Sequence, residues 1–197
     1  MTNGLIFLLV GPSGCGKSSI INHLLEEIPN LQRYTTYTTR SLRNGEVNGR
    51  EYFFVSKDKF RKLITANKFV EWQEFYGNLY GSTKELMEKF LQGDIDGIAA
   101  YDVLGAKELM DAYPANVVTI FIVPPSIKVL RNRLIERYGQ DSQSVGKLRL
   151  QRFDMEMQHA RKFKYIVVNN DLEVSVNEVK SIFVAERCAR RARESRR

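Results

Sequence analysis

Cysteine is scarce in this chain, with only Cys15 and Cys188, far apart, among 197 residues. A disulfide framework is thereby excluded, and a reduced, cytoplasmic protein is the expectation. Long apolar runs are lacking too. The N-terminal run at residues 5–10 is too short to span a bilayer and has no basic region before it. Neither a transmembrane helix nor a signal peptide is expected. Internal repeats and low-complexity linkers are absent, and 43% hydrophobic residues suit one well-buried domain. Aromatic residues are missing where positive charge collects. Residues 187–197 hold six arginines against one glutamate, five of the seven net positive charges. A basic tail with no stacking platform reads as a solvated helix end, not a specific nucleic-acid site. It is also a candidate surface for a homo-oligomer.

What is present is concentrated first in Gly11-Pro12-Ser13-Gly14-Cys15-Gly16-Lys17-Ser18, which fits G-x-x-x-x-G-K-[ST] without mismatch. The apolar run before it has strand length and reads as a strand buried on both faces. After it, Ile21, Leu24, Leu25 and Ile28 line one face of a helix. Strand, glycine loop and helix together make a phosphate-binding loop. Its backbone N–H groups curl toward one point at a helix N-terminus and form a nest for an anion. Lys17 is then expected to reach the β- and γ-phosphates of a nucleoside triphosphate, and the Ser18 hydroxyl to ligate Mg²⁺. Ser19 completes the candidate ATP-binding stretch.

Further along, residues 32–39 read as one Thr- and Tyr-rich strand, followed by a basic turn at 40–45 and a strand at 51–55. Ser56 reads as the N-cap of a helix with Phe60, Leu63 and Ile64 on its apolar face. Residues 69–76 and 79–82 flank Gly77-Asn78 as a hairpin, and a helix covers 83–91. Strands at 98–102, 117–123 and 165–168 alternate with helices at 103–112, from Ile127, up to about His159, and a closing one marked by Val176, Val179 and Phe183. That alternation implies an α/β three-layer sandwich with a mainly parallel sheet. The strand-rich stretch from about 36 to 82 interrupts it and reads as an inserted lobe.

Thr38-Thr39-Arg40-Ser41-Leu42-Arg43, then Gly45-Glu46-Val47-Asn48-Gly49, Tyr52, Glu71-Trp72 and Gly77-Asn78-Leu79-Tyr80-Gly81-Ser82 resemble guanylate kinase in order and spacing. Residues 120–126 and 167–172 resemble its later signatures, so the likeness covers about residues 4–185. The loop alone is shared by many families; its combination with T-T-R-x-x-R and G-N-x-Y-G-S is specific. The resemblance implies a phosphate-loop nucleoside-monophosphate kinase fold. Its parts are a core (1–33, 84–135 and 152–197), a GMP-binding lobe (34–83) and a lid (136–151). It implies the reaction of ATP and GMP to ADP and GDP with Mg²⁺.

Each site residue follows from that resemblance and has its own chemistry. Arg40 and Arg43 are expected to clamp the acceptor phosphate, with the Tyr52 and Tyr80 hydroxyls completing the cradle. Glu71 is expected to choose the base. A carboxylate accepts from guanine N1–H and the 2-amino group, whereas adenine N1 is itself an acceptor. Thr36 aligns with a base-contacting hydroxyl, Ser82 is expected to donate to guanine O6, and Trp72 is expected to pack within the lobe. Arg137 and Arg149 align with lid arginines that reach the migrating phosphoryl group on closure. Arg133 competes with Arg137 for that role, because Tyr138 is an extra residue relative to the usual R-G turn. Asn169 is expected to touch adenine.

One departure stands out. Relatives carry D-x-D-x-Q-G where this chain has Ala100-Tyr101-Asp102-Val103-Leu104-Gly105. The first aspartate helps hold Mg²⁺ through water, and here it is alanine. Asp102 matches the second, substrate-side aspartate. It stands on the same strand face as position 100, about 6–7 Å away, near enough to approach the metal through a bridging water. Two other functions stay open on the sequence: a kinase for another phosphorylated ribose or nucleotide, and a guanylate-kinase-like module that binds phosphopeptides.

Overall fold

A computed structural model describes residues 4–138 and 153–195. Five strands form one sheet in the order β2-β7-β1-β8-β9. They are β1 (Ile6–Val10), β2 (Leu31–Arg33), β7 (Asp96–Tyr101), β8 (Val117–Val123) and β9 (Tyr165–Val168). β2 runs parallel to β7, and β8 parallel to β9. Every residue of β1 is buried, as its uninterrupted apolar run demands of a central strand. The fold is α/β with a mostly parallel central sheet, as the alternating pattern predicts.

The chain divides into two compact units. One holds Leu8–Pro29, Ala100–Val103 and Val118–Arg197. Within it, α1 (Lys17–Glu27) packs on α7 (Leu172–Glu194), and Lys180 Nζ pairs with Glu27 Oε2 at 2.8 Å. Asp171 caps α7 by accepting from Val174 N at 3.0 Å. Helices α5 (Ile127–Tyr138) and α6 (153–159) belong to the same unit. Thr119 Oγ1 accepts from Lys164 N at 3.1 Å and so sets the start of β9.

The other unit runs to Phe7 and adds Asn30–Ala99 and Leu104–Val117. It contains a second, four-stranded sheet in the order β4-β3-β6-β5, from β3 (Tyr37–Thr38), β4 (Phe53–Phe54), β5 (Phe69–Phe75) and β6 (Asn78–Thr83). α2 (Lys57–Thr65) covers this sheet, and Ser56 caps it as predicted, accepting from Lys59 N at 3.2 Å. Phe60 stacks on Phe69 with centroids 4.4 Å apart, beside buried Leu79. α3 (Lys84–Gln92) starts from a Thr83 cap, and α4 (Val103–Ala112) follows β7. Deep in the unit, the Asp96 carboxylate accepts from Leu5 N at 2.6 Å.

Three expectations change. The single strand predicted over 32–39 is two, β2 and β3, which belong to different sheets. Tyr34 causes the break: its N–H still donates to Ile98 O at 2.9 Å, but its ring is buried against Phe90, and two residues later Thr36 O already accepts from Phe53 N at 2.8 Å. The hairpin turn falls one residue early, on Tyr76 (φ 50°) and Gly77 (φ 71°). Two successive positive φ values match strand twist in a two-residue hairpin loop, so Asn78 begins β6. Trp72, expected inside the lobe, is 42% exposed, because it alternates along β5 with buried Glu71. The stretch 34–83 lies wholly inside one unit, which extends beyond it at both ends.

Phe60 has no exposed surface and stacks across the sheet. Phe60→Ala is expected to lower unfolding free energy by about 3–5 kcal/mol, the usual cost of a large core cavity. Urea titration followed by the fluorescence of Trp72, the single tryptophan, reads this unit directly; a loss under about 1 kcal/mol would show that the cluster collapses into the gap.

Candidate active site

The phosphate loop is built at the end of a buried strand and the start of α1. Gly16 is the N-cap, at φ 102°, and offers no side-chain acceptor to the first turn, which carries no acidic residue. The opening amides of α1 are therefore left for an external anion. Cys15 N donates to Pro12 O at 3.2 Å, and Ile20 N to Gly16 O at 3.1 Å, so loop and helix are continuous.

Lys17 curls back onto the loop. Its ammonium donates to Gly11 O at 2.5 Å and Pro12 O at 2.9 Å, and approaches Cys15 Sγ at 3.7 Å. An ammonium has three donors, so a phosphate oxygen must displace at least one of these contacts. Cys15 is fully buried, and burial pushes its thiol up while Lys17 opposes the shift. Ser13 and Gly14 are half-buried, whereas Ser18 and Ser19 are exposed. An exposed hydroxyl at the helix start, beside amides that bind phosphate, suits Mg²⁺, which takes few protein ligands and completes its shell with phosphate oxygens and water. Among the described residues no cluster of three or more His, Cys, Asp or Glu side chains forms a separate metal site.

Asn169 supports the loop from 154 positions away. Its Nδ2 donates to Cys15 O at 2.7 Å, its Oδ1 accepts from Ser175 Oγ at 3.2 Å, and its N donates to Val123 O at 2.7 Å. The amide occupies the space that a side chain at Gly16 would need: a Cβ there would lie 2.0 Å from Nδ2. Thus Asn169, read from the sequence as a contact to adenine, is 3% exposed and has both side-chain heteroatoms engaged in bracing the loop. Arg133 Nη2 donates to Asn169 O at 3.4 Å, and its Nη1 is buried without a partner among the described residues. Arg137 sits in the last turn of α5 with its side chain outside the described residues, and Arg149 lies outside them altogether. Asp102 joins β7 to α4 and is half-buried, as is Ala100; both belong to the same unit as the loop. Leu104, in the first turn of α4, is 49% exposed.

The acceptor candidates gather in the other unit, on the face of the second sheet. Arg40 lies with its guanidinium carbon 5.5 Å from the Tyr52 ring centroid and 5.4 Å from that of Phe54. The Tyr52 and Tyr80 rings meet edge to face at 6.0 Å. Burial, then Tyr80, pushes the Tyr52 phenol up to about 12, so it remains a proton donor at neutral pH. Arg40 pairs with Glu46 through two hydrogen bonds of 2.8 and 2.9 Å, and Arg43 N donates to the same carboxylate at 2.8 Å. Glu46 stood in the quoted G-E-V-N-G stretch without a role; the residues alone gave no signal of its pairing.

Glu71 and Ser82 face each other across β5 and β6. The Glu71 carboxylate, 5% exposed, accepts from Ser82 N at 3.0 Å and Ser82 Oγ at 2.9 Å through one oxygen. A hydroxyl has one proton, so Ser82 here orients the carboxylate, and donation to a ligand would require it to rotate. Thr36 is buried close by in sequence, before β3. Burial pushes the Tyr34 phenol up, and Ser82 beside it opposes the shift.

Gly16→Ala tests the brace. A forced positive φ and a collision with Asn169 should cost about 1–3 kcal/mol, weakening ATP binding by about 5–150-fold. Equilibrium ATP binding checks this, with unchanged affinity counting against the described contact.

The guanylate kinase family profile matches residues 4–186. A guanylate kinase of Geobacter sulfurreducens is 39% identical over 185 residues, covering 94% of this chain and 90% of that protein. One from Rickettsia felis is 41% identical over 184 residues, with 93% and 95% covered. The crystal structure of guanylate kinase from Anaplasma phagocytophilum superposes with a TM-score of 0.78 at 30% identity, covering 94% of this chain and 87% of that one. The profile spans nearly the whole chain and both relatives are well above 30% identical over most of it, so the chain belongs to the guanylate kinase family.

Proposed function

We propose that this chain transfers the γ-phosphoryl group of ATP to GMP, giving ADP and GDP, with Mg²⁺ as the cofactor. The observation that carries the reading is Glu71: a buried carboxylate, fixed by Ser82 from two directions, that can only accept hydrogen bonds. Burying such a group is costly unless donors meet it, and guanine offers two adjacent donors, N1–H and the 2-amino group, where adenine turns an N1 acceptor toward the carboxylate. Thr36 lies near the base in this reading, Asp102 on the GMP side, and Asn169 near adenine while bracing the loop.

Catalysis in this reading is alignment and charge stabilisation. The nucleophile is an already ionised phosphate oxygen, so no general base is needed. Arg40, Arg43, Tyr52 and Tyr80 hold the acceptor phosphate. Gly11 to Ser19 hold the triphosphate, with Lys17 moving from its loop carbonyls to the β- and γ-phosphates. Arg137 and Arg149, carried on the lid at 136–151, bring positive charge to the migrating group on closure. Mg²⁺, when bound through Ser18 and by water to Asp102, would neutralise phosphate charge. The division into core, GMP-binding lobe and lid belongs to this proposal, as does a cytoplasmic location, to which two free thiols are suited. Among the described residues no helix is long and apolar enough to cross a membrane.

Ala100 favours a second reading, a phosphopeptide-binding module, since relatives place a metal-assisting carboxylate there. The complete Gly16-Lys17-Ser18 motif opposes it. ADP release over a panel of nucleoside monophosphates separates the two: turnover with GMP and little with AMP or UMP is expected, and no GMP turnover across a wide Mg²⁺ range would sink the kinase reading. Glu71→Gln should lose guanine selectivity by about 10–100-fold in kcat/KM, since one acceptor becomes a donor. Ala100→Asp should lower the Mg²⁺ needed for half-maximal rate by about tenfold; an unchanged requirement would mean that other groups compensate.

A further inference from the structure

We propose that Glu46 is the positioning residue for the acceptor phosphate, holding Arg40 and Arg43 in the orientation that grips it. This rests on the GMP-phosphorylating reading and adds to it a group that does not itself touch substrate.

The donor inventory of Arg40 makes the case. A guanidinium has five N–H groups. Nη1 gives one to Ser41 O at 2.7 Å and one to Glu46 Oε2 at 2.9 Å, and Nη2 gives one to Glu46 Oε1 at 2.8 Å. Those three bonds use the end of the fork. The two N–H groups left, on Nε and Nη2, lie side by side along the other edge, which is the spacing that engages two oxygens of one phosphate. Tyr52 and Phe54 lie beside the guanidinium, at 5.5 and 5.4 Å, and restrict its tilt. Glu46 thereby turns a long, rotamer-rich side chain into a fixed two-pronged donor before substrate arrives.

The same carboxylate holds the second arginine by its backbone. Oε2 also accepts from Arg43 N at 2.8 Å, and Glu46 N donates back to Arg43 O at 3.1 Å. This closed turn fixes where the Arg43 side chain begins. The side chains of Arg40 and Glu46 are only 12% and 15% exposed, so each would be costly to hold there alone.

A rival account makes Glu46 a resident anion seated where the phosphate should go. Two features oppose it. Glu46 occupies the end of the Arg40 fork, leaving the phosphate-gripping edge open, and the bond its carboxylate accepts from Arg43 N would have to break for no gain if it were displaced. Its negative charge also weakens long-range attraction for phosphate, a sacrifice that makes sense only if orientation matters more than charge.

The test compares Glu46→Ala and the near-isosteric Glu46→Gln with the parent chain, alone and in an Arg40→Ala background. Steady-state kinetics give KM for GMP and for ATP, calorimetry gives GMP affinity without turnover, and thermal midpoints report folding. Glu46→Ala is expected to raise KM and Kd for GMP by about 10–100-fold, and KM for ATP by less than about twofold, with Glu46→Gln between. In the Arg40→Ala background the same change should cost less than about threefold, because only its contact to the Arg43 backbone is then left to lose. A purely structural role would lower active fraction and leave the GMP and ATP constants alike, which would overturn the proposal. So would a fall in KM for GMP, the signature of the resident-anion account, or an undiminished penalty without Arg40. If the parent chain binds GMP but does not phosphorylate it, the kinase reading fails, and the calorimetric arm still decides Glu46.

Discussion

Binding a polyphosphate through backbone amides requires a loop that is open toward the ligand yet rigid behind. In this chain the rigidity comes from one buried amide. Asn169 fills the volume left by the missing Cβ of Gly16 and ties Cys15 O to the end of β9 and the start of α7. A loop with no side-chain cap on its helix would otherwise lose several residues' worth of backbone freedom on binding each anion. Lys17, resting on Gly11 O and Pro12 O, ties its ammonium to the carbonyls of the loop. The phosphate loop is thus stabilised by contacts within its own unit.

The other unit follows the same logic with charges instead of amides. Arg40, Glu46 and Glu71 are all largely out of water, and each is held by partners within its own sheet or turn. For Glu46, burial alone would raise the carboxyl, but the Arg40 guanidinium and the Arg43 amide more than offset it and hold it below the usual range. A depressed carboxyl contributes stability that is complete above its unfolded value and is lost as pH falls through the lower folded one. Preorganised charges of this kind need no rearrangement when phosphate arrives.

Much of this was legible before any coordinates. The phosphate loop is contiguous, and its neighbours announce themselves by a buried-strand run and a helical period. Ser56 is readable as a local signal because a cap acts over three residues, whereas Thr83, read as the first helical residue, is itself the cap of α3. Residues 32–39 were misread as one strand because β-rich composition says nothing about a chain leaving one sheet for another. Trp72 was misplaced because apolarity outweighed its alternation with Glu71, a buried carboxylate that only a partner such as Ser82 makes tolerable.

The sequence by itself determined the phosphate loop, because that capacity belongs to residue types at short, fixed spacings; the candidates for clamping phosphate and reading a base came from its resemblance to a family. Only the tertiary structure decided how each group is used. That Asn169 braces a loop 154 residues away, that Ser82 spends its proton on Glu71, and that Glu46 takes one edge of Arg40 and leaves the other are facts of rotamer and distance. A hydrogen bond exists only within about 3 Å and a narrow angle, and no spacing along the chain specifies either for residues brought together by folding.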